Sequence, residues 1–438
     1  MNGGGLSFMV RALRHRNYRL FFSGQTVSLI GSWMTRIATS WLVYRLTRSS
    51  LLLGLVGFAG QIPSFLLAPL AGVLVDRWNR HRLLVVTQVL AMLQSAALAV
   101  LALTGVINIW HVLLLSLFQG VINAFDMPGR QSFVVEMVEK REDLPNAIAL
   151  SSSMVNAARL LGPSIGGVII AAVGEGWCFG IDAVSYLAVI ASLLLMRLTP
   201  RPRSASRGTS VLPELRAGFS YVAGSSPIRS ILLLLALVSL VGMPYTVLMP
   251  VFASTVLHGG PHTLGFLMAA TGVGALLGAF FLANRRSVLG LGKIIPLMSA
   301  VFGAGLIGFS LSRTLWLSIL LLFVTGLGFM VQMAASNTLL QTLVDDDKRG
   351  RVMSFYTMAF MGTTPFGSLL AGVLAQRIGA PQTLLLGGAG CILAALWFAM
   401  QLPGLREQVR PIYIRLGILP EVAEGISAAT QLTVPPER

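Results

Sequence analysis

Charge is what this sequence most lacks. Of its 438 residues only 11% are Asp, Glu, Lys or Arg, while 55% are apolar. Such a chain cannot clothe a soluble globular surface, which draws on about a quarter of charged residues. Acid is scarcer still, 16 residues against 32 of Lys and Arg. Cysteine is almost absent: Cys178 and Cys391 do not make a disulfide framework, and neither stands at metal-ligand spacing. No metal or other cofactor is therefore expected. The chain has no GxxxxGK[ST] loop, no HExxH and no Ser/His/Asp grouping on a recognisable scaffold, which argues against ATP as an energy source and against an enzyme. The opening MNGGGLSFMVRALRHRNYRLFF sets basic residues ahead of an apolar run, but that run is too long for a signal peptide and shows no small-residue cleavage site. It is read as a retained first helix.

What is present is apolar sequence in blocks of membrane-spanning length. Twelve segments recur, at roughly 18–44, 50–75, 83–104, 109–132, 146–173, 178–197, 228–256, 263–283, 293–312, 315–340, 351–376 and 382–402. Backbone groups in lipid must be satisfied within the segment, so these are helices and the fold class is an all-α integral membrane protein. Placing the amino terminus in the cytoplasm leaves Arg45, Arg48, Arg313 and Arg377 outside and Arg36 and Arg159 within the membrane, with the other basic residues inside. Both termini are then cytoplasmic. The excess of basic residues reads as topology and as contact with anionic lipid heads, and nucleic acid is not an expected partner.

The stretch RLTPRPRSASRGTSVLPELRAGFSYVAGSSPIR interrupts the series after the sixth segment, rich in Pro, Ser and Arg. It predicts an amino-terminal six-helix half at 1–198, a cytoplasmic linker at 199–227, a carboxy-terminal half at 228–402 and a cytoplasmic tail at 403–438. The tail is expected to lie on the membrane surface through Ile412, Tyr413, Ile414 and Leu416. The halves echo each other at an offset of 205 residues, matching Gly162 with Gly367, Gly167 with Gly372 and Gly174 with Gly379. Duplicated units of this kind place a site near the bilayer midplane, between bodies that rock against each other.

Two motifs carry a resemblance. Gly72-Val73-Leu74-Val75-Asp76-Arg77-Trp78-Asn79-Arg80-His81-Arg82 lies between the second and third segments, and Gly162-Pro163-Ser164-Ile165-Gly166-Gly167 lies in the fifth. The first resembles the GxLaDrxGrR loop of the major facilitator superfamily, with Asn79 where Gly is usual. The second is similar to the GPxxGG core of the antiporter motif, with Ala149 and Ala158 in place of its upstream glycines. Longer stretches, among them NAIALSSSMVNAARLLGPSIGG and RGRVMSFYTMAFMGTTPFGSLLAG, resemble the branch of bacterial siderophore and drug exporters. The resemblance implies twelve helices in two six-helix halves in the bacterial inner membrane. It also implies a small-molecule substrate, protons and membrane lipids as partners, and a monomer. Gly72, Asp76, Arg77 and Arg80 are the expected gating loop. In it Asp76 can meet Arg80 one turn on or cap the positive end of the eleventh helix near Gly350, latching the cytoplasmic side. A plain positive loop that fixes topology is the other reading.

Ionisable groups inside the membrane cost about 2.5–3.5 kcal/mol on insertion scales and usually face a cavity or a partner. Asp126, Arg159, Asp182, Arg36 and Arg130 are the proton-coupling candidates, all in the first half. Asp126 lies in the fourth helix, which lines the cavity in the resembled family. A partly dehydrated carboxylate there suits reversible protonation, though a structural i,i+4 pair with Arg130 is equally open. Asp182 is expected to be hydrated near the outer end of the sixth helix. Arg159 is expected to hold an acid or an anionic substrate, with packing against backbone carbonyls as the alternative, and as a guanidinium near Asp126 it would help that acid release its proton. Gln25, Gln61, Gln119, Asn156, Tyr245, Gln332 and Asn337 are the substrate-cavity candidates. These features predict a proton-coupled exporter of a small organic compound working by alternating access. The alternatives are an uncoupled carrier or lipid flippase of the same fold, and a membrane sensor or scaffold, which would call for a signalling domain or long structured tail.

Overall fold

The computed structural model describes residues 11–197, 211–285, 287–345, 348–416 and 418, with the backbone alone at residues 68, 69, 72, 73, 76, 77, 141 and 211–217. Among the described residues every regular element is helical. The first half comprises α1 (Arg16–Thr47), α2 (Ser50–Arg77), α3 (Arg80–Leu103), α4 (Ile109–Met137), α5 (Leu144–Val173) and α6 (Glu175–Leu194). A linker helix, α7 (Val211–Gly224), precedes the second half: α8 (Ser226–Val256), α9 (Pro261–Ala283), α10 (Leu291–Leu311), α11 (Leu315–Leu343), α12 (Arg349–Ile378) and α13 (Ala380–Arg415). Eleven of these are long and apolar enough to cross a membrane on composition alone. The remaining long helix, α1, runs 32 residues but carries Arg16, Arg19, Arg36 and Arg45, and it completes the twelve.

Local chemistry sets the helix boundaries. Asn79, at the position where the resembled loop has Gly, caps α3 by accepting a hydrogen bond from the Arg82 amide at 3.1 Å. Asn108 caps α4 through the Trp110 and His111 amides, and the His111 ring accepts back from the Asn108 amide at 3.3 Å, a reciprocal arrangement that satisfies amide donors at the start of the helix. Ser49 caps α2. Pro128 does not stop α4, because neighbouring helices hold a proline-containing helix in place within a bundle.

In the first half α1 packs on α5 and α6, and α3 on α4 and α6; in the second half α11 packs on α9 and α10, and α13 on α8 and α10. Tyr18, Phe21, Leu84, Phe133 and Val189 form a buried apolar cluster that ties α1, α3, α4 and α6 at the end of the bundle nearest the linker. The last helix continues beyond the expected span, through Pro403 and Pro411 to Arg415. Ile412 and Tyr413, expected on the membrane surface, instead pack against the main core, and Arg415 bonds Asp345 at 3.0 Å. Burial there outweighs the backbone bonds that proline removes. The rest of the expected tail, and residues 198–210 of the linker, lie outside the described residues.

At the linker end the α4–α5 connection is pinned to the segment before α1. His15 Nε2 lies 2.8 Å from Asp143 Oδ2 and Arg11 Nε lies 3.0 Å from Oδ1. The hydrogen bond from His15, aided by the Arg11 charge, holds the Asp143 carboxyl below the usual aspartate range. A lowered folded value means stability present above the unfolded aspartate's titration and lost as pH falls through the folded one. Asp143→Asn should therefore lower the melting temperature in detergent at neutral pH, with the gap to wild type closing as pH falls below the ordinary aspartate range. A gap that persists unchanged in acid would assign the effect to something other than this charge.

Candidate functional site

The halves touch along two helix crossings, and each is built on a pair of glycines. On α5, a Cβ placed at Gly167 would lie 2.8 Å from the Pro261 carbonyl oxygen and 3.0 Å from Gly265 Cα of α9. On α12, a Cβ at Gly372 would lie 2.9 Å from Gly54 Cα and from the Ser50 carbonyl oxygen of α2. Only hydrogen at these positions lets the backbones come so close. Phe366 extends the second crossing with edge-on contacts to Phe58 and Phe65. Hydrogen bonds join the halves at the end away from the linker: Tyr44 to Thr255 at 2.6 Å, Arg48 to Ser254 at 3.0 Å and Ser49 to Gln376 at 3.2 Å. The main helix pairs that pack across the two halves, among the described residues, are α5 with α9 and α2 with α12, joined by the Tyr245–Val251 stretch of α8 against α1 and α2 and by α9 against α1. The interface is therefore closed at one end.

The other glycines of the α5 motif face inward. Gly162 sits against Trp33 and the Ile30 carbonyl of α1, and Gly166 against Ile37 and Met34. Pro163 is buried in the same helix. One motif thus serves two contacts, with Gly162 and Gly166 fastening α5 within its half and Gly167 meeting the other half. The neighbours of Gly167 are backbone atoms that cannot swing aside, so even a methyl group there would have to displace a helix.

The membrane-embedded charges separate into three groups. Asp126, only 6% exposed, accepts hydrogen bonds from Thr87 at 3.0 Å and Gln88 at 2.6 Å of α3 and forms an ion pair with Arg130 one turn on. The i,i+4 pair forms, and Pro128 does not prevent it. The guanidinium beside Asp126 is accordingly that of Arg130, in place of the expected Arg159. Asp182 is 1% exposed, so it is not hydrated at a helix end as expected. It lies two turns inside α6, accepts from Ser95 at 2.7 Å, and has Ser32 and Tyr186 beside it. No cation pairs with it among the described residues. Arg36 and Arg159 form the third group: their guanidinium carbons lie 4.7 and 5.3 Å from the centroid of the Trp33 ring.

Of the cavity candidates, Gln25 and Gln332 are buried within their own halves and do not line open space. Tyr245 is also buried, edge-on to Phe302. Gln61 bonds the Gly57 carbonyl, Gln119 bonds Asn123, Asn156 bonds the Ser152 carbonyl, and Asn337 accepts from Gln341. All four of these remain at least partly exposed. In the expected gating loop Arg80 bonds Glu136 of α4 at 2.8 Å. Gly72, Asp76 and Arg77 fall in the last two turns of α2, and the side chains of the latter two lie outside the described residues. Sequence reasoning missed Trp33, Thr87, Gln88 and Ser95, whose residue types are too common in membrane helices to stand out. It also missed Glu136, and it missed Glu175, which takes a two-pronged hydrogen bond from Arg45 where α1 meets α6.

Two six-helix halves that cross at α2–α12 and α5–α9 are the frame on which the sequence comparisons bear. Residues 9–412 match the family described as transmembrane secretion effector. The chain belongs to that family. As such it is a multi-pass membrane protein of the major facilitator superfamily. Among the relatives of this transmembrane secretion effector, the staphyloferrin A transporter of Staphylococcus aureus is 28% identical over 385 residues, covering 87% of this chain and 95% of that one. The multidrug efflux pump Tap of Mycolicibacterium fortuitum is 27% identical, covering 86% and 93%, and macrolide efflux protein A of Streptococcus pyogenes is 24% identical, covering 87% and 96%. A solved structure of a bacterial homologue of the human lysosomal transporter Spinster, inward-facing and unoccupied, superposes with a TM-score of 0.71 at 15% identity, covering 90% of this chain and 98% of that one. It shares the fold.

Proposed function

We propose that this protein is a proton-coupled secondary active exporter that moves a small organic compound out across the bacterial inner membrane by alternating access. Residues 1–198 and 228–402 are its two moving bodies and 199–227 their tether. The observation that carries the reading is the closure between the halves at the end away from the linker, through the glycine crossings and three hydrogen bonds. With the linker end in the cytoplasm, as the basic residues favour, the closure lies on the outer side, as an inward-facing state requires, and the relatives named as efflux proteins favour outward transport. The loop of Gly72, Asp76, Arg77 and Arg80 is the proposed latch for the opposite state, and Asp126 with Arg130 the proposed proton relay. Purified protein in liposomes with an imposed pH difference should accumulate substrate uphill, using the compound that a metabolite comparison of deletion and overexpression strains identifies, and should move protons only when that compound is present. Downhill movement indifferent to the pH difference would leave an uncoupled carrier of the same fold.

A further inference from the structure

Arg36 and Arg159 are charges that the fold leaves unbalanced. They rise from the middle thirds of α1 and α5, at depths where an ionised group normally has a partner. Each lies over the ring of Trp33, so the two guanidinium groups are near neighbours of like charge. Among the described residues no carboxylate comes within ion-pairing distance of either, and the Nε of Arg159 is buried without a hydrogen-bond partner. The deep acids of the same half are occupied elsewhere, Asp126 with Arg130, Thr87 and Gln88, and Asp182 with Ser95. What the two arginines share is Trp33, over whose ring both guanidinium groups sit. Gly162 presses against the Cβ of that tryptophan, so its place at the α1–α5 crossing is fixed. Arg36 nevertheless reaches the surface of the protein, and α5, which carries Arg159, packs against α9 of the opposite half.

We infer that Arg36, Arg159 and Trp33 form the cargo site, and that the cargo is an organic oxyanion with a planar or apolar body. The inference rests on the exporter reading above and adds the substrate class. Guanidinium groups present paired donors that match a carboxylate or phosphate, and stacking on an indole holds their planes without consuming those donors. The indole also offers the apolar body a flat surface. A cationic cargo would meet two like charges, and a neutral one would leave both uncompensated.

The test uses the full-length protein in detergent and three probes of one shape: 2-naphthoate, naphthalene-2-carboxamide and 2-naphthylmethylammonium. Calorimetry should show 2-naphthoate bound at least about tenfold more tightly than the other two. Arg36→Gln and Arg159→Gln should each weaken the naphthoate by roughly tenfold while hardly changing the carboxamide, and the Lys variants should retain part of the preference. Because the buried Nε of Arg159 has no partner, Arg159→Gln should also melt at a higher temperature than wild type without ligand, whereas loss of a structural ion pair would lower it. Displacement of naphthoate by short-chain phosphatidylglycerol would make a lipid phosphate the anion's source, and displacement only by other carboxylates would make it a soluble acid. No preference for the anion, including no binding of any probe at millimolar concentration, or Gln variants that bind naphthoate like wild type, would overturn the site. These readings need no transport, so a protein that binds anions yet never moves them would defeat the exporter reading alone.

Discussion

Gly167→Leu is expected to abolish transport in a protein that still folds and inserts at near-normal abundance. The hydrogen of Gly167 touches α9 of the other half, with the Pro261 carbonyl and Gly265 Cα in the way of any larger group. Overfilling a packed contact costs about 1–3 kcal/mol. In the proposed alternating-access cycle the closed crossing belongs to one arrangement of the halves, so the cost falls on that arrangement and shifts the equilibrium by roughly 5–150-fold. Gly54→Leu, at the α2–α12 crossing, should do the same, and both variants should expose the end away from the linker to a membrane-impermeant thiol reagent at an introduced cysteine. Gly166→Leu is the contrast: its neighbours Ile37 and Met34 belong to α1 of the same half, so it should lower yield and melting temperature instead. Wild-type transport by Gly167→Leu would mean that this crossing does not close during the cycle.

The second large effect concerns Asp126. Asp126→Asn leaves Arg130 facing a neutral amide, and breaking a buried pair by removing one partner destabilises by about 3–5 kcal/mol, a figure to be reduced here because the Arg130 side chain is 24% exposed. The single variant should thus lose abundance as well as uphill export. Asp126→Asn with Arg130→Gln removes both charges and should recover most of the abundance, since Thr87 and Gln88 can still bond a neutral side chain. If Asp126 carries the proton, the double variant remains unable to concentrate substrate while downhill exchange survives. Recovery of uphill export along with abundance would make the pair structural and pass the role to Asp182, the buried acid that no cation accompanies. Asp182→Asn in the same assay then decides between them.

Much of this protein is decided by its sequence. Twelve apolar segments of sufficient length could only be helices, because lipid offers backbone groups no partners, and the positions of eleven of them are plain from composition. The 205-residue echo was equally legible and has a physical content at each matched glycine. Gly174 and Gly379 take φ of 93° and 90° where a helix turns into the next, a conformation that strains any other residue. Gly162 presses on α1, and Gly367 presses on α8 at the Leu240 carbonyl and Pro244. Gly167 and Gly372 form the two crossings between halves.

What the sequence did not contain was the other side of each contact. Gly265 and Gly54 complete the crossings, and the chain does not say which of its 46 glycines meet across the halves. The same limit governs the charges. A buried acid can be found by its position in a helix, but whether it meets a cation depends on helix rotation, and one residue of rotation is 100° of direction. Asp126 therefore turned to Arg130, Thr87 and Gln88, and Asp182 into hydroxyls two turns from water. Arg36 and Arg159, 123 positions apart in the chain, came together over one tryptophan because α1 and α5 cross at Gly162. Hydrophobic length and glycine spacing act locally and are written along the chain, whereas charge pairing is decided where helices from distant parts of it meet.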